Sequence, residues 1–282
     1  MPDFPIVDTH VHLADPQQFS HPWMADIPAL NHPWSLADYH HAVGDVQVGK
    51  MLFMEVNCNP NEVVREVEWV TRMAVAEPRL QGIIAKAPIE TGAAVTETLD
   101  LYRANPLVKA IRRLIQGEAD GFCLQPNFLE GLRQLARYDY VFDICIHHPQ
   151  LSDTIQMVRA CPEVRFVLDH IAKPDIKGGV MEPWTTQVAE LAALDNVVCK
   201  VSGVVTEADC ARWTTDDLRP YLDRIVEVFG FDRLVFGGDW FVQTLASTYP
   251  RWVEVLDTIL AGCSEEDLRK LYVLNAERVY RV

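Results

Sequence analysis

Apolar positions along this chain follow two rhythms. Short, nearly unbroken runs rich in Val, Ile and Leu alternate with longer stretches where apolar residues return every third or fourth position. The runs lie at 6–13 (IVDTHVHL), 50–56 (KMLFMEV), 80–87 (LQGIIAKA), 108–116 (VKAIRRLIQ), 142–148 (FDICIHH), 165–171 (RFVLDHI), 197–203 (VVCKVSG) and 233–239 (RLVFGGD). Most are near-continuous, the pattern of parallel strands covered on both faces. The longer stretches predict helices. In 61–77, Val64, Val67 and Val70 or Thr71 share a face, and in 127–138, Leu129, Leu132, Leu135 and Ala136 do. The stretch 218–230 ends in Gly230, a helix stop. Helices at 91–105, 152–161, 184–194, 249–261 and 265–280 complete the pattern. The unit recurs at roughly 30 residues, the length of a strand–helix–strand crossover. Eight strands each followed by a helix predict a (β/α)8 barrel. A doubly wound sheet is the competing arrangement, but it more often carries a glycine-rich phosphate turn after its first strand. Here that strand ends in His-x-His.

Composition narrows the picture. The chain has 282 residues, 49% hydrophobic and 23% charged, which excludes a disordered chain. No Ser/Gly linker, repeat or low-complexity segment divides it, and one barrel domain over 1–282 is expected. With 25 basic and 40 acidic residues the net charge is -15, so nucleic acid and anionic membranes are not expected partners. No run approaches the roughly 18 apolar residues of a membrane span. The N-terminus lacks a basic region and a long apolar region, and the seven Cys include no CxxC pair. A cytoplasmic protein with reduced thiols is expected.

In such a barrel the chemistry sits at the C-terminal ends of the strands. Those ends carry His10 and His12, Glu55, Lys86, Arg112 and Arg113, His147 and His148, Asp169 and His170, Lys200 and Ser202, and Asp239. Five of the nine His thus fall at predicted strand ends. A lone His is often a satisfied core residue. His10 and His12 are different, because a spacing of two points both imidazoles to one face of a strand. Together they make a metal-ligand pair or a pair that polarises a carbonyl. Asp239 ends an apolar strand through two glycines and is placed to ligate a metal or take a proton from water. His170 is expected to face the centre, with Asp169 pointing away. Of His147 and His148 only one can face the centre, and His148 is preferred. One of Arg112 and Arg113 should face the mouth and grip oxygen-rich substrate, the alternative for either being a structural ion pair. Trp23, Trp34, Trp213 and Trp240 fall in the predicted top loops, where they either plug a crevice or, with Glu55 and Lys86, grip or cover a small polyol ring. Lys173, following His170 in HIAKP, could stack under the site, although a lysine before a proline in a loop is often merely solvated.

VDTHVHL at 7–13, VLDHIAKP at 167–174, CKVSGVVTEAD at 199–209 and FGGDW at 236–240 resemble, in this order, the amidohydrolase superfamily. Within it the chain is similar to the sugar-lactonase branch, the L-fuconolactonase and L-rhamnonolactonase type of aldonolactone hydrolase. The resemblance implies a distorted (β/α)8 TIM barrel and hydrolysis of a cyclic ester. It implies that His10, His12, His170 and Asp239 are the catalytic and metal-binding set and that Arg112 contacts substrate, with Arg113 also present in the nearest subgroup. Strand four lacks the Lys or Glu that bridges two metals in many amidohydrolases. The resemblance therefore implies at most one divalent ion, Zn²⁺, with activity surviving its removal in part or in full. A metal-dependent decarboxylase and an inactive sugar-binding barrel are the alternative readings. The expected partner is a small sugar lactone.

Overall fold

A computed structural model describes residues 2–282. Eight strands run parallel in chain order: β1 (Ile6–Val11), β2 (Val48–Met54), β3 (Leu80–Lys86), β4 (Val108–Arg112), β5 (Val141–Ile144), β6 (Arg165–Leu168), β7 (Val197–Val201) and β8 (Leu234–Phe236). Around them lie α1 (Leu36–Val43), α2 (Val63–Ala74), α3 (Thr96–Arg103), α4 (Pro126–Tyr138), α5 (Leu151–Ala160), α6 (Trp184–Ala192), α7 (Thr215–Phe229) and α8 (Tyr249–Ile259). This is a single-domain (β/α)8 TIM barrel, nearly closed.

The helices form for local reasons. In α4 a proline opens the first turn, Phe128, Leu132 and Leu135 bury one stripe, and Asp139 ends the helix in the left-handed region at φ 59°. The helix after the first strand, α1, escapes the apolar pattern. It has only eight residues, two of them His, and is defined by its cap: Ser35 and Asp38 exchange hydrogen bonds as a capping box. The expected eighth helix, 265–280, is instead an extra element. It divides into α9 (Glu265–Arg269), a π-helical turn and α10 (Asn275–Tyr280).

That C-terminal segment closes the barrel floor. Val7, Leu52, Ile84, Ala110, Val141, Val167 and Val235 point inward and pack on Ala276, Val279 and Tyr280. The polar layer that carries the site therefore rests on a dry, filled base.

The seam between β1 and β8 is thin. One parallel bridge joins Val11 to Trp240, the His12 amide donates to the Trp240 carbonyl at 2.7 Å, and Thr9 Oγ1 donates to the Phe236 carbonyl at 2.6 Å. Buried Asp8 reinforces it from outside the barrel. Its carboxylate accepts from Tyr39 (2.9 Å), Tyr249 (2.8 Å), the Gly238 amide (2.8 Å) and the His10 amide (3.0 Å). Glycine is required at 237, where an added Cβ would lie 2.8 Å from that of His10.

Candidate active site

All eight strands end earlier than the apolar pattern suggests, and at β5 and β6 this changes which side chains converge. β6 stops at Leu168, and His170, Ile171, Ala172 and Lys173 all take positive φ, between 47° and 65°. A left-handed turn breaks the alternation expected of a strand. Asp169 consequently points inward together with His170, contrary to the sequence expectation. Likewise β5 stops at Ile144, so His147 and His148 fall in the turn leading to α5, and neither lines a cavity over the barrel mouth.

The centre is built on a buried chain of charges. Lys200 is fully buried and pairs with Asp143 at 2.5 Å and Asp169 at 2.9 Å. Tyr280 donates to the same Asp143 from the floor at 2.7 Å. Arg112 Nη1 reaches Asp169 at 3.4 Å, while its Nε donates to Glu55 Oε1 at 2.6 Å and its Nη2 to the Glu55 carbonyl at 2.7 Å. Burial opposes the Lys200 ammonium, but the two carboxylates outweigh it and hold its pKa above the ordinary value. Asp169 is likewise held well below the carboxylate range, since Lys200 and His10 overcome its burial.

Above this layer sit the imidazoles. His10 Nε2 and His12 Nε2 are 3.2 Å apart, and Asp239 Oδ1 lies 3.6 Å from the first, 3.8 Å from the second and 4.0 Å from His170 Nε2. Burial lowers all three His pKa values well below 6.5, so the rings are neutral at pH 7. Their tautomers follow from the partners. His12 Nδ1 faces the Met54 carbonyl at 2.9 Å, which can only accept, so Nδ1 carries the proton. His10 Nδ1 faces the Asp169 carboxylate at 3.6 Å, longer than a hydrogen bond, and the negative charge there favours the proton on Nδ1. Both Nε2 atoms then present bare lone pairs to each other. His170 Nδ1 meets Ser202 Oγ at 2.9 Å. A side chain at Gly203 would run into the His170 ring, and the glycine's φ of 59° further bars one.

Two lone pairs aimed at one point, with a carboxylate beside them, suit a divalent cation. Ligand atoms of His10, His170 and Asp239 all lie within 4.8 Å of one another. These three N and O donors are of the kind zinc takes, and His12 Nε2 stands beside them, 3.2 Å from that of His10. Asp239, at φ 55°, is buried, and burial pushes its carboxyl up to about 7.

A cavity of about 310 Å³ opens over these groups, walled by Arg112, Asn57, Gln116, Lys173, Thr206 and Trp23 among others. Lys173 is half-buried and reaches the site wall, where its Nζ donates to Gln116 Oε1 at 2.6 Å. Cys145 also lines this cavity. Several sequence candidates stand elsewhere. Glu55 lies beneath, consumed by Arg112. Trp34 is held by a bridge to Ala14 and stacks on Phe241 at 4.9 Å, edge-on to Trp240, so both Trp buttress the wall from behind. Trp23 is the ring that reaches the cavity. Lys86 and Arg113 line a neighbouring cavity. Asp143 and Gln116 carry no signal in the sequence, because a single polar residue in or at the end of an apolar run is uninformative until its partners are seen.

A (β/α)8 barrel with His-x-His at the end of its first strand, a His after its sixth and an Asp after its eighth defines a barrel enzyme with a candidate divalent-metal site. The chain belongs to the amidohydrolase family, whose model matches residues 7–282. It is 30% identical over 267 residues to an L-fucono-1,5-lactonase of Burkholderia multivorans, covering 88% of each chain. A second L-fucono-1,5-lactonase, from Burkholderia ambifaria, is 35% identical over 187 residues, 63% of each chain. Among solved structures, an amidohydrolase from Burkholderia multivorans with bound zinc superposes with a TM-score of 0.89 at 25% identity, covering 99% of this chain and 100% of that one. Among the described residues no helix is long and apolar enough to cross a membrane.

Proposed function

We propose that this protein hydrolyses the cyclic ester of a sugar-acid lactone. The observation that carries the reading is one carboxylate, Asp239, set among three neutral imidazoles beneath a cavity walled by hydroxyl-seeking side chains. The names of the lactonase relatives support it.

Asp239 takes a proton from water as the water oxygen adds to the lactone carbonyl carbon. The carbonyl oxygen gains negative charge. His10 and His12, with bare Nε2, cannot donate to it, but Arg112 can, since Nε and Nη2 are bound to Glu55 and Nη1 has only long contacts, 3.4 Å to Asp169 and 3.5 Å to His10. Collapse of the tetrahedral adduct breaks the ring C–O bond, and Asp239 returns its proton to the leaving alkoxide. The product is the open hydroxy acid. His10, His12, His170 and Asp239 would hold one zinc ion, which supplies Lewis-acid polarisation of the carbonyl when bound. The partner in this reading is a small lactone, with no nucleic acid or membrane, and the setting is the cytoplasm.

A panel of aldonolactones, followed with a pH indicator and a CO₂ detector, tests the reaction. Acid release without CO₂ is expected. CO₂ from a carboxylate substrate would identify a decarboxylase, and binding without turnover an inactive sugar-binding barrel.

Metal content is a second test. Elemental analysis should find at most one zinc per chain. Chelated enzyme should keep measurable activity, because Arg112 and Asp239 remain in place. Two tightly held ions, or total loss rescued only by added metal, would overturn the single, dispensable ion.

The metal-free enzyme should also show an acid limb. With its pKa near 7, Asp239 is protonated and useless as a base at low pH, so kcat/KM should rise about tenfold per pH unit below 7 and level off above it. A rate flat from pH 5 to 8 would remove Asp239 from this role.

A further inference from the structure

Beside the first cavity lies a second of about 300 Å³, over the ends of β3 and β4 and bordered by α3. The two share Asn57, Leu114 and Gln116 as their common wall. We propose that this second cavity is a subsite for a further sugar unit, so that the substrate class is the lactone of a disaccharide aldonic acid. The inference rests on the lactonase reading for the reaction, but not for the sugar site itself.

Size is the first argument. Small-molecule sites run about 300–1,000 Å³, and the first cavity alone stands at the lower limit. Adding the second roughly doubles the room, along a direction that leads away from Asp239.

The wall between them is the second. It carries two amide side chains gripped from opposite sides. Lys86 Nζ donates to Asn57 Oδ1 at 2.7 Å, and Lys173 Nζ donates to Gln116 Oε1 at 2.6 Å. An ammonium can only donate, so each amide oxygen is turned to its lysine and each amide nitrogen is turned away. Neither nitrogen has a protein partner among the described residues. Two N–H2 groups are thus held ready at the junction, where a glycosidic linkage and its flanking hydroxyls would pass.

The lining chemistry is the third. Arg113 is clamped between Glu90 at 2.9 Å and Glu118 at 2.7 Å. Lys86 and Arg113 balance Glu90 and Glu118, so the cavity has no net charge to attract an anion. Both carboxylates stay about one-third exposed, 35% and 33%; Arg113 Nε spans both Glu90 oxygens while Glu118 is held through Oε1, which leaves Glu118 Oε2 to accept from a hydroxyl. Pro60, Val63 and Pro88 add apolar surface for the C–H face of a ring. An acceptor, donors and a hydrophobic patch without net charge are the requirements of a neutral polyol.

The test measures binding of open-chain acids, which does not depend on turnover. Cellobionate, lactobionate and melibionate are titrated by calorimetry against gluconate. At least one should bind about tenfold tighter than gluconate, as expected for a few added hydrogen bonds and ring contact. Thr98→Trp, on α3 at the cavity rim, should remove that preference, and Glu118→Gln should reduce it. Affinities within about twofold for all four acids, or a preference that survives both substitutions, would overturn the subsite. Assays of the matching lactones separate the two readings. Tighter binding without hydrolysis sinks the lactonase and leaves the sugar subsite, whereas gluconolactone turnover with no gain for the larger acids does the reverse.

Discussion

Asp239→Asn should fold normally and lose about 10²–10⁴-fold in kcat, the range of a general base. The amide matches the carboxylate in shape, so the cavity and its imidazoles should keep their places. It cannot accept the proton of the attacking water, nor give one back to the ring oxygen. A loss of this size raises the barrier by about 3–5 kcal/mol. The residual rate should also lack the rise through pH 7, because the titrating group is gone. Melting temperature serves as the control for folding. A variant within about threefold of wild type, with the pH limb intact, would mean that another group takes the proton.

Lys200→Met should produce the largest loss of stability. The ammonium is fully buried between Asp143 and Asp169, and methionine fills its volume without its charge. Breaking a buried pair by removing one partner costs about 3–5 kcal/mol. In a chain of this size that lowers Tm by on the order of 10 °C. The loss should depend on pH. Asp143 already sits at about 6 through burial, and without Lys200 its folded pKa rises further above the unfolded one, while Asp169 loses the ammonium that holds it low and rises too. The folded variant then binds more protons than the unfolded chain, so its stability falls as pH rises. The gap from wild type should be smaller at pH 5 than at pH 8, by differential scanning calorimetry. A gap independent of pH would show that the two acids are not left charged.

Much of this architecture was legible in the chain. Apolar runs located all eight strands, because a barrel strand covered on both faces has nowhere to put polar residues except at its ends. The same logic drew attention to His10, His12, His170 and Asp239. What stayed hidden had local causes. α1 is short and capped rather than striped. The turn at His170 is left-handed without a glycine to announce it, so Asp169 was assigned to the wrong face. For Trp34 and Trp240 the pattern leaves packing and substrate contact both open, and Phe241 with the bridge to Ala14 decides for packing. The role of Lys173 depends on Gln116, which is 57 residues away and carries no signal of its own.

The thin seam between β1 and β8 has a consequence for how the chain assembles. Thr9 and Phe236 are 227 positions apart, so the sheet becomes a ring only when the two ends of the sequence meet. Contacts that distant are slow to form. Until Asp8 gathers Tyr39 and Tyr249, the sheet has two unpaired edges whose free amides and carbonyls can template pairing with another molecule. Aggregation during refolding should therefore start at this seam and grow steeply with protein concentration, making dilution the main control on yield.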